Sequence, residues 1–397
     1  MTTARGAAFA GHDIVCVGLA DWETDLWTNQ HHLMSRLARD NRVLFVESLG
    51  LRRPQLAGRD LRRIGRRLRA GVAPPREIDG LHVLSPLVLP FHANAGVRAV
   101  NARLLPALVG RAARRLGFER PLLWSYVPQA EVLLEPLSPR RVVYHCVDDI
   151  AAQKGVDGDS FRAAEERFAR RADLVLASAP SLAERMRRLS ENVLDAPNVA
   201  DTSLFATALE PGPVDPALAA LPGPRIVFTG AVVATKLDVG LIVELARAAP
   251  DSSIALVGPV GVGDPGTDVS ALEREPNVHL LGGRRYEQLP AVLRGADAAI
   301  IPYASNPLTD GVFPMKVYEY LAAGLPVVAT PLPSLRDVDA ISFARTGREF
   351  AERIAALVAA DDAGARAARS AGAAAHSWDA RIAEIATAFE RLGPPRS

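Results

Sequence analysis

Residues 310–330 read DGVFPMKVYEYLAAGLPVVAT and join one helix to the strand that follows it. Pro314 suits the first turn of a helix, because a proline there loses no backbone hydrogen bond and already has a helical φ. Gly324 and Pro326 end the helix, and the apolar run 326–330 is typical of a strand buried on both faces. The segment therefore predicts a helix that leads into a parallel strand, which is the repeating unit of an α/β fold.

The same alternation extends through most of the chain on both sides of this segment. Short apolar runs rich in β-branched residues alternate with stretches of helical period, and this pattern indicates doubly wound parallel sheets. A chain of 397 residues is long for one such domain, so two domains are expected. The predicted strands are residues 13–20, 42–48, 82–87, 121–127, 141–147, 174–179 and 193–197 in the first half, and 225–230, 253–258, 278–282, 298–303 and 326–330 in the second.

Proline and glycine mark the boundary between the two predicted domains. Residues 206–224 contain five prolines and two glycines, which interrupt strand and helix patterns alike and predict a linker. The first domain is then expected to span residues 1–205 and the second residues 225–375. Strand signals fade after Thr330, and the remaining predicted elements are helices near 348–360 and 378–392, the latter within a C-terminal segment of residues 376–397.

The composition is that of an ordinary globular protein. Hydrophobic residues make up 49% and charged residues 23%, which excludes a disordered or low-complexity chain. No stretch has the roughly 18–20 uninterrupted apolar residues of a membrane-spanning helix, and the N-terminus lacks the apolar core of a signal peptide. Cys16 and Cys146 lie in apolar runs and are too few for a disulfide framework, so buried free thiols are expected. These features predict a cytoplasmic protein of enzyme size.

The formal net charge of +1 conceals a difference between the two halves of the chain. Residues 1–205 contain 29 Lys and Arg against 23 Asp and Glu, whereas residues 206–397 contain 17 against 22. Eight arginines cluster between Arg52 and Arg69, with apolar residues between them at partly helical spacing. This Arg52–Arg69 segment has two interpretations: a helix lying on an anionic membrane surface, or a solvated helix covering its own domain. Nucleic-acid binding is disfavoured, because no aromatic residues interleave with the arginines.

The helix within residues 310–330 contains the densest candidate site. Backbone N–H groups of Phe313, Met315 and Lys316 at its start would point outward from the carboxyl end of the sheet, and together with the Lys316 ammonium they form an anion site. Glu319 lies one turn further along, where its carboxylate suits hydrogen bonds from a sugar diol. The alternative is a surface helix with a Lys316–Glu319 pair that contributes only about 0.2–0.5 kcal/mol.

A second candidate site lies where the first strand of the second domain ends. Gly230 closes that strand, and Lys236 follows six residues later at the predicted start of a helix. A glycine turn with a lysine opposite a helix N-terminus is an arrangement that neutralises a diphosphate. Of the 46 basic residues only three are lysines, namely Lys154, Lys236 and Lys316. Because two of these lysines follow strand ends of one domain, the sequence indicates a shared phosphate site.

In the first domain, polar residues follow two of the predicted strands. Asp148 and Asp149 come directly after the strand 141–147, where one of them has a catalytic or acceptor-binding role, or else caps a helix. Adjacent carboxylates point to different sides of the chain and no further ligand is spaced to help, so no metal site is expected. His31 and His32 follow the first strand, where a neutral imidazole either deprotonates an acceptor hydroxyl or has a structural role only.

These motifs resemble the nucleotide-binding domain of the GT-B glycosyltransferases, in particular the bacterial family-4-like group that includes polysaccharide and teichuronic-acid-type transferases. The resemblance implies two Rossmann-like domains facing a central cleft, and a terminal helix that crosses back to the first domain. The matching features are the turn from Gly230 to Lys236, LVGP at 256–259, NVHLLG at 277–282, KVYEYLAAGLP at 316–326, and PNVAD at 197–201 where the family has PNGVD.

The resemblance also implies roles for individual residues. Glu319 matches the second glutamate of the family's E-x7-E motif, which binds the nucleotide ribose. Lys236 matches the basic residue at the donor diphosphate. Arg285 and Tyr286 fall in the loop where the family contacts the base. The second domain is therefore expected to hold a sugar nucleotide.

Two positions depart from the family pattern. The first glutamate of the motif falls at Gly311, or at Asp310 if one residue has been inserted. Ala231 stands where the family usually has an arginine beside the turn glycine. Because of these departures, a catalytically silent sugar-nucleotide-binding protein is an alternative interpretation.

The activity implied by the resemblance is transfer of a sugar from a nucleoside-diphosphate donor, UDP-linked, to the hydroxyl of a sugar, lipid-linked or small-molecule acceptor. Such a reaction is expected to need no metal and no cofactor, and to retain the configuration of the sugar. If the enzyme inverts instead, Asp148, Asp149 or one of the histidines must be the base. A sugar-nucleotide epimerase is a further alternative on the same fold.

Overall fold

The structure, a computed structural model, describes residues 9–24, 26–48, 74–86, 95–153 and 155–393. The Arg52–Arg69 segment lies outside the described residues, so both of its interpretations stay predictions. The chain divides into a first unit, residues 1–197 together with 382–397, and a second unit, residues 198–381. None of the described helices has the length and apolar character that crossing a bilayer requires.

A mostly parallel sheet of eight described strands lies at the centre of the first unit. The strands are β1 (Asp13–Val17), β2 (Arg42–Val46), β3 (Arg76–Ile78), β4 (Leu81–Leu84), β5 (Leu122–Ser125), β6 (Arg141–Cys146), β7 (Leu174–Ala177) and β8 (Val193–Asp195). Their order across the sheet is β3-β4-β2-β1-β5-β6-β7-β8, and within this sheet only β3 and β4 pair antiparallel. Strands β5, β6 and β7 are buried throughout, as expected when helices cover both faces of a sheet. Cys16 and Cys146 lie in this sheet as buried free thiols, as predicted.

Helices connect most of these strands, because two parallel neighbours need a crossover between them. The described helices of the first unit are α1 (Asn29–Leu37), α2 (Ala95–Arg115), α3 (Leu134–Leu137), α4 (Gly158–Arg171) and α5 (Pro180–Arg187). Helix α4 shows why such segments fold as they do. The Asp157 carboxylate accepts the Ser160 N–H at its start, and Phe161, Glu165 and Phe168 recur at helical spacing on its buried face.

The second unit is built on a wholly parallel sheet of six described strands. These are β9 (Arg225–Thr229), β10 (Ser253–Val257), β11 (Val278–Leu280), β12 (Ala298–Ile301), β13 (Val327–Ala329) and β14 (Ile341–Phe343). Their order is β11-β10-β9-β12-β13-β14, so the chain first builds outward from β9 on one side and then on the other. This reversal places the ends of β9 and β12 at a topological switch point, where open α/β sheets bind ligands beyond the carboxyl ends of their strands.

Short helices surround the sheet of the second unit. They are α6 (Thr202–Ala206), α7 (Pro216–Ala219), α8 (Val239–Ala248), α9 (Ser270–Glu273), α10 (Leu289–Arg294), α11 (Pro307–Asp310), α12 (Lys316–Ala322), α13 (Gly347–Ala359) and α14 (Ala363–Ala373), followed by the last helix α15 (Trp378–Arg391). Side chains of Asp201, Asp215, Asp238 and Asp362 accept backbone N–H groups at the starts of four of these helices. Such caps satisfy donors that have no partner within the helix.

All twelve predicted strands are present, and the α/β fold class is confirmed. The sequence interpretation missed β3 and β14, whose short sequences REI and ISF are not continuous apolar runs. It also missed α14, whose sequence AGARAARSAGA has only alanine and glycine where a larger apolar stripe is normally found.

The segment predicted as a linker, residues 206–224, folds onto the second unit in the structure. Leu218 is fully buried there, and Pro216 begins α7 rather than interrupting it. The Arg294 guanidinium donates hydrogen bonds to the carbonyl groups of Thr207, Glu210 and Pro213. One arginine thus binds the proline-rich segment to the second unit, whereas composition alone predicted a linker.

The last helix begins in the second unit and its final turns belong to the first. The Ser377 hydroxyl accepts the Ala380 N–H at 3.3 Å and so caps the start of the helix, and Trp378 is buried. Residues from Ile382 onward group with the first unit, where the Phe389 ring meets the Phe9 ring edge-on at 5.2 Å. The Arg141 guanidinium lies 6.0 Å from the Phe389 ring centroid.

Replacing Phe389 tests this attachment. Phe389→Ala is expected to lower the free energy of unfolding of the first unit by about 1.5–2.5 kcal/mol, roughly half the cost for a fully buried ring, because Phe389 is half-buried. The measurement is urea unfolding followed by tryptophan fluorescence, since Trp22, Trp27 and Trp124 all lie in the first unit. Thr387→Ala, at an exposed position of the same helix, is the control and is expected to change stability by less than about 0.5 kcal/mol. Equal losses in the two variants would contradict the assignment.

Candidate functional site

The loops that follow β9 and β10 lie so close together that their backbones are in contact. Gly230 follows β9 with φ +127°, a value that residues with side chains rarely adopt. A Cβ added at Gly258, directly after β10, would lie 1.8 Å from the Gly230 carbonyl oxygen. The two loops therefore depend on glycine at both positions, at the carboxyl ends of adjacent strands.

The Lys316 ammonium lies over Gly230. Its Cε and Nζ atoms are 3.3 Å from the place where a Cβ of Gly230 would stand. Nζ donates a hydrogen bond of 3.1 Å to the Tyr303 hydroxyl and lies 5.2 Å from the centroid of the Phe228 ring. Burial alone would lower the pKa of Lys316, but Tyr303, Tyr320 and Glu319 together raise it above its ordinary value. Lys316 is therefore a fixed positive charge beside the turn glycine.

Helix α12 is fastened to β9 by Tyr320. The Tyr320 hydroxyl accepts the Thr229 backbone N–H at 2.7 Å and the Thr229 hydroxyl at 3.1 Å. Residues 317–322 of the helix are all buried, which contradicts the alternative of a surface helix. The helix begins at Lys316, two residues later than the predicted start at Pro314, because the chain first turns at Met315.

Glu319 lies one turn into α12 and is 6% exposed. Burial raises the pKa of its carboxyl group to about 7, although the Lys316 ammonium and the Tyr286 hydroxyl both lower it. The carboxyl group therefore exchanges its proton near neutral pH. Hydrogen-bond donors that approach it, such as the hydroxyls of a diol, would favour its ionised form.

Tyr286 and Arg285 belong to the loop after β11. The Tyr286 ring meets Phe205 edge-on at 5.3 Å, and Arg285 is exposed, with its N–H donated to the Gln288 side chain at 3.0 Å. The loop is held by a residue that the sequence interpretation did not single out: the Arg284 guanidinium binds both carboxylate oxygens of Asp215 at 2.6 and 3.1 Å. This contact also lowers the pKa of Asp215.

The loop that carries Lys236 is fastened to the segment after β12. The Ala304 N–H donates to the Lys236 carbonyl at 2.8 Å, and Leu237 pairs antiparallel with Tyr303. The Asn306 side chain donates to the Thr235 carbonyl at 3.2 Å. The two predicted phosphate lysines are thus connected through Tyr303, whose backbone meets one loop and whose hydroxyl meets Lys316.

Asp310, Phe313 and Met315 lie between α11 and α12. Asp310 ends α11 and is half-buried, and Met315 is the residue that precedes α12. The Phe313 carbonyl accepts a hydrogen bond from the Asn198 side chain at 2.8 Å, and the Phe313 ring stacks on Tyr318. The structure therefore brings together four of the predicted donor-binding residues, Gly230, Lys316, Glu319 and Tyr286. Phe313 instead packs on α12 and stabilises the segment that leads into it.

In the first unit, His31 serves the start of α1. Its Nδ1 accepts the Thr28 N–H at 3.1 Å, so the proton sits on Nε2, which donates to the Asp21 carbonyl at 3.0 Å. Burial lowers the pKa of His31 and, to a larger extent, that of His32. His31 is thus a neutral structural residue with both nitrogens engaged, in agreement with the structural alternative.

Asp148 and Asp149 follow β6 and are half-buried. Asp149 accepts hydrogen bonds from Arg162 at 2.9 Å and from Arg185 at 3.3 Å. Arg185 also pairs at 3.0 Å with Glu165, a residue 3% exposed that the sequence interpretation overlooked. The sequence did contain a signal for this burial, because Glu165 lies at helical spacing from Phe161 and Phe168 and therefore on the same buried face. Asp149 is therefore bound in a network of ion pairs.

No group of three or more His, Cys, Asp or Glu side chains within the described ranges is arranged to hold a metal ion. Asp148 and Asp149 accordingly belong to no such group.

The sequence is similar to known glycosyltransferases over part of its length. Residues 220–360 match the family model described as glycosyl transferases group 1. The Bacillus subtilis (strain 168) protein TuaH, whose name assigns it to teichuronic acid biosynthesis as a glycosyltransferase, is 33% identical over 232 residues. That match covers 54% of this chain and 57% of TuaH, so the chain spans little more than half the length of the curated relative that it matches.

Solved structures show the same architecture. Anabaena HepE in complex with UDP-glucose has a TM-score of 0.67 at 16% identity, covering 96% of this chain and 100% of that one. Sucrose-phosphate synthase from Thermosynechococcus elongatus has a TM-score of 0.65 at 16% identity, covering 96% and 99%. The chain therefore has the GT-B glycosyltransferase fold, as predicted.

The raised pKa of Glu319 predicts a specific dependence of stability on pH. Since the folded protein holds this proton up to about pH 7 and the unfolded chain releases it near pH 4.5, the free energy of unfolding should fall as the pH rises through this window. Glu319→Gln removes the titrating group, so between pH 4.5 and 8 its free energy of unfolding should gain about 3 kcal/mol relative to that of the wild type. Urea unfolding at several pH values measures the difference.

The matched control for this titration is Glu287→Gln, an exposed residue on the neighbouring turn. Its stability curve should follow that of the wild type. Parallel curves for wild type and Glu319→Gln would show that Glu319 is ionised across the whole window.

Proposed function

We propose that this protein is a glycosyltransferase that moves a sugar from a nucleoside-diphosphate donor, UDP-linked, to an acceptor hydroxyl. The observation that supports this most directly is the cluster at the end of β9, where an ammonium, a buried carboxylic acid and a positive-φ glycine lie together. The family match over residues 220–360 covers this same cluster. HepE, with the same fold, is described in complex with UDP-glucose, which supports UDP as the nucleotide.

In this proposal the diphosphate lies between the two phosphate lysines. The Lys316 ammonium over Gly230 and the Lys236 ammonium neutralise the charge that develops on the departing diphosphate, which is the main catalytic work in such a transfer. Glu319 accepts hydrogen bonds from the ribose hydroxyls, and Tyr286 beside it borders the base. Because these groups already supply positive charge, the proposed reaction needs no metal and no further cofactor.

The reaction is proposed to retain the configuration of the sugar. In that case the departing phosphate oxygen takes the proton of the acceptor hydroxyl, and no protein base is needed. Two observations support this route: both nitrogens of His31 are engaged, and Asp149 is bound to Arg162 and Arg185. These groups are poorly suited to accept a proton from a substrate.

A second candidate function is a sugar-nucleotide-binding protein without transfer activity. Gly311 and Ala231 favour it, since neither has a side chain that can contact a sugar or a phosphate as a charged group would. Hydrolysis of the donor, or transfer to any acceptor, would exclude it. Binding without release of UDP over long incubation would support it.

Donor binding is tested by Glu319→Gln. The variant is expected to weaken binding of UDP-glucose by about 1–3 kcal/mol at pH 8, the usual cost of losing a charged hydrogen-bond partner. Isothermal titration calorimetry measures the affinity, and Glu287→Gln serves as the control with unchanged binding. An unchanged affinity of Glu319→Gln for UDP-glucose would show that Glu319 does not bind the ribose.

The nucleotide is identified by a thermal-shift panel of UDP-, GDP-, ADP- and dTDP-glucose. The preferred donor should raise the melting temperature most, because a ligand that binds the native state stabilises it by mass action. A larger shift with another nucleotide would change the base assignment and leave the site in place.

Metal independence is tested with EDTA. Release of UDP from the donor should continue at the wild-type rate after exhaustive treatment with EDTA, because Lys236 and Lys316 supply the charge that a metal would otherwise provide. Loss of turnover that Mn²⁺ or Mg²⁺ restores would contradict this mechanism. Asp148 and Asp149 would then be the candidates for a metal site.

A further inference from the structure

The Lys316 ammonium is held by aromatic side chains. Its hydrogen-bond acceptor is the Tyr303 hydroxyl at 3.1 Å, and its ring neighbours are Phe228 at 5.2 Å and Tyr303 at 5.5 Å. Both ring distances lie within the range in which a cation is attracted to an aromatic face. These contacts fix the position of the charge, and the phenol and benzene rings that make them carry no opposite charge.

Tyr303 also belongs to the backbone that holds the Lys236 loop. It pairs antiparallel with Leu237, and the next residue, Ala304, donates its N–H to the Lys236 carbonyl at 2.8 Å. Tyr303 follows β12, which pairs with β9 in the sheet. One residue therefore contacts the chain of one phosphate lysine through its backbone and the charge of the other through its side chain.

We propose that Tyr303 is a positioning residue that holds the Lys316 ammonium over Gly230 for the diphosphate of the donor. The inference rests on the proposed function and adds a residue that acts through Lys316. A lysine side chain has four flexible methylene groups and loses conformational entropy whenever it is held in one place. In this protein Tyr303 and Phe228 restrict it before any ligand arrives, so that cost does not reduce the affinity for the diphosphate.

The electrostatic surroundings of Lys316 agree with this role. Burial lowers the pKa of the ammonium, and the hydroxyl of Tyr303, the hydroxyl of Tyr320 and the carboxyl group of Glu319 oppose that effect and outweigh it. Removing the Tyr303 hydroxyl while keeping its ring should therefore lower the pKa of Lys316 and widen the range of positions of its side chain.

The first part of the test needs no ligand. The chain has only three lysines, so a protein labelled with ¹³C and ¹⁵N in lysine side chains gives three sets of signals, and Lys316→Met identifies one of them. In Tyr303→Phe the Lys316 side-chain signals should move and broaden at neutral pH relative to the wild type, while those of Lys236 and Lys154 stay unchanged. Tyr318→Phe, which removes a hydroxyl from the same helix, is the control and should leave the Lys316 signals in place. Unaltered Lys316 signals in Tyr303→Phe would overturn the proposal.

The second part compares ligands with and without a diphosphate. Tyr303→Phe should weaken UDP binding about 3- to 10-fold, the loss expected for one ordinary hydrogen bond, because Tyr303 acts through Lys316. It should leave uridine binding, followed by NMR shifts, unchanged. On the Lys316→Met background the same substitution should change UDP affinity less than about twofold, because the two residues act as one unit.

The outcomes separate this inference from the proposed function. Equal loss of uridine and UDP binding, or full additivity of the two substitutions, would assign Tyr303 a general structural role and overturn the positioning role. Failure of the wild-type protein to bind UDP would overturn the UDP donor, and the same cycle with inorganic pyrophosphate would then decide the role of Tyr303.

Discussion

The hydrogen bonds between Thr229 and the Tyr320 hydroxyl connect α12 to the carboxyl end of β9, and the candidate site depends on that connection. Lys316 and Glu319 lie on the same seven-residue helix, so its register determines the position of both ionisable groups. A helix this short is not stable alone in water. It persists because its side chains from residue 317 onward are buried and because Tyr320 fixes it to the strand. The placement of charge in the site is thus a consequence of core packing.

Burying Lys316 and Glu319 together is costly to the folded protein. Desolvation acts against both charges, and for Glu319 it prevails, raising the pKa to about 7. A helix selected only for stability would have apolar residues at these positions. Ionisable groups with shifted pKa values, gathered at the switch point of a parallel sheet, are instead typical of ligand sites. The same desolvation costs favour an anionic ligand with hydroxyl groups, because such a ligand supplies the interactions that water no longer provides.

The sequence allowed the sheets and the charged residues of α12 to be predicted, because both signals are local. Buried strands appear as apolar runs, and lysines are conspicuous among so many arginines. The residues that hold the site were not predictable, because their partners lie far away along the chain. Arg284 and Asp215 are 69 positions apart, and Thr229 and Tyr320 are 91 apart. The role of residues 206–224 was hidden for the same reason, since Arg294 holds that segment from a later helix.

The two units differ in how they use their ionisable groups. In the first unit the carboxylates of buried Glu165 and half-buried Asp149 are paired with arginines, and His31 has neighbours on both ring nitrogens. In the second unit the Lys316 ammonium donates to a phenol and lies beside aromatic rings, and the nearby Glu319 carboxyl group keeps its proton up to about pH 7. Paired charges stabilise a fold but have little left to offer a substrate, whereas a charge held by neutral groups keeps its field. The electrostatic work of the proposed transfer therefore falls to the second unit.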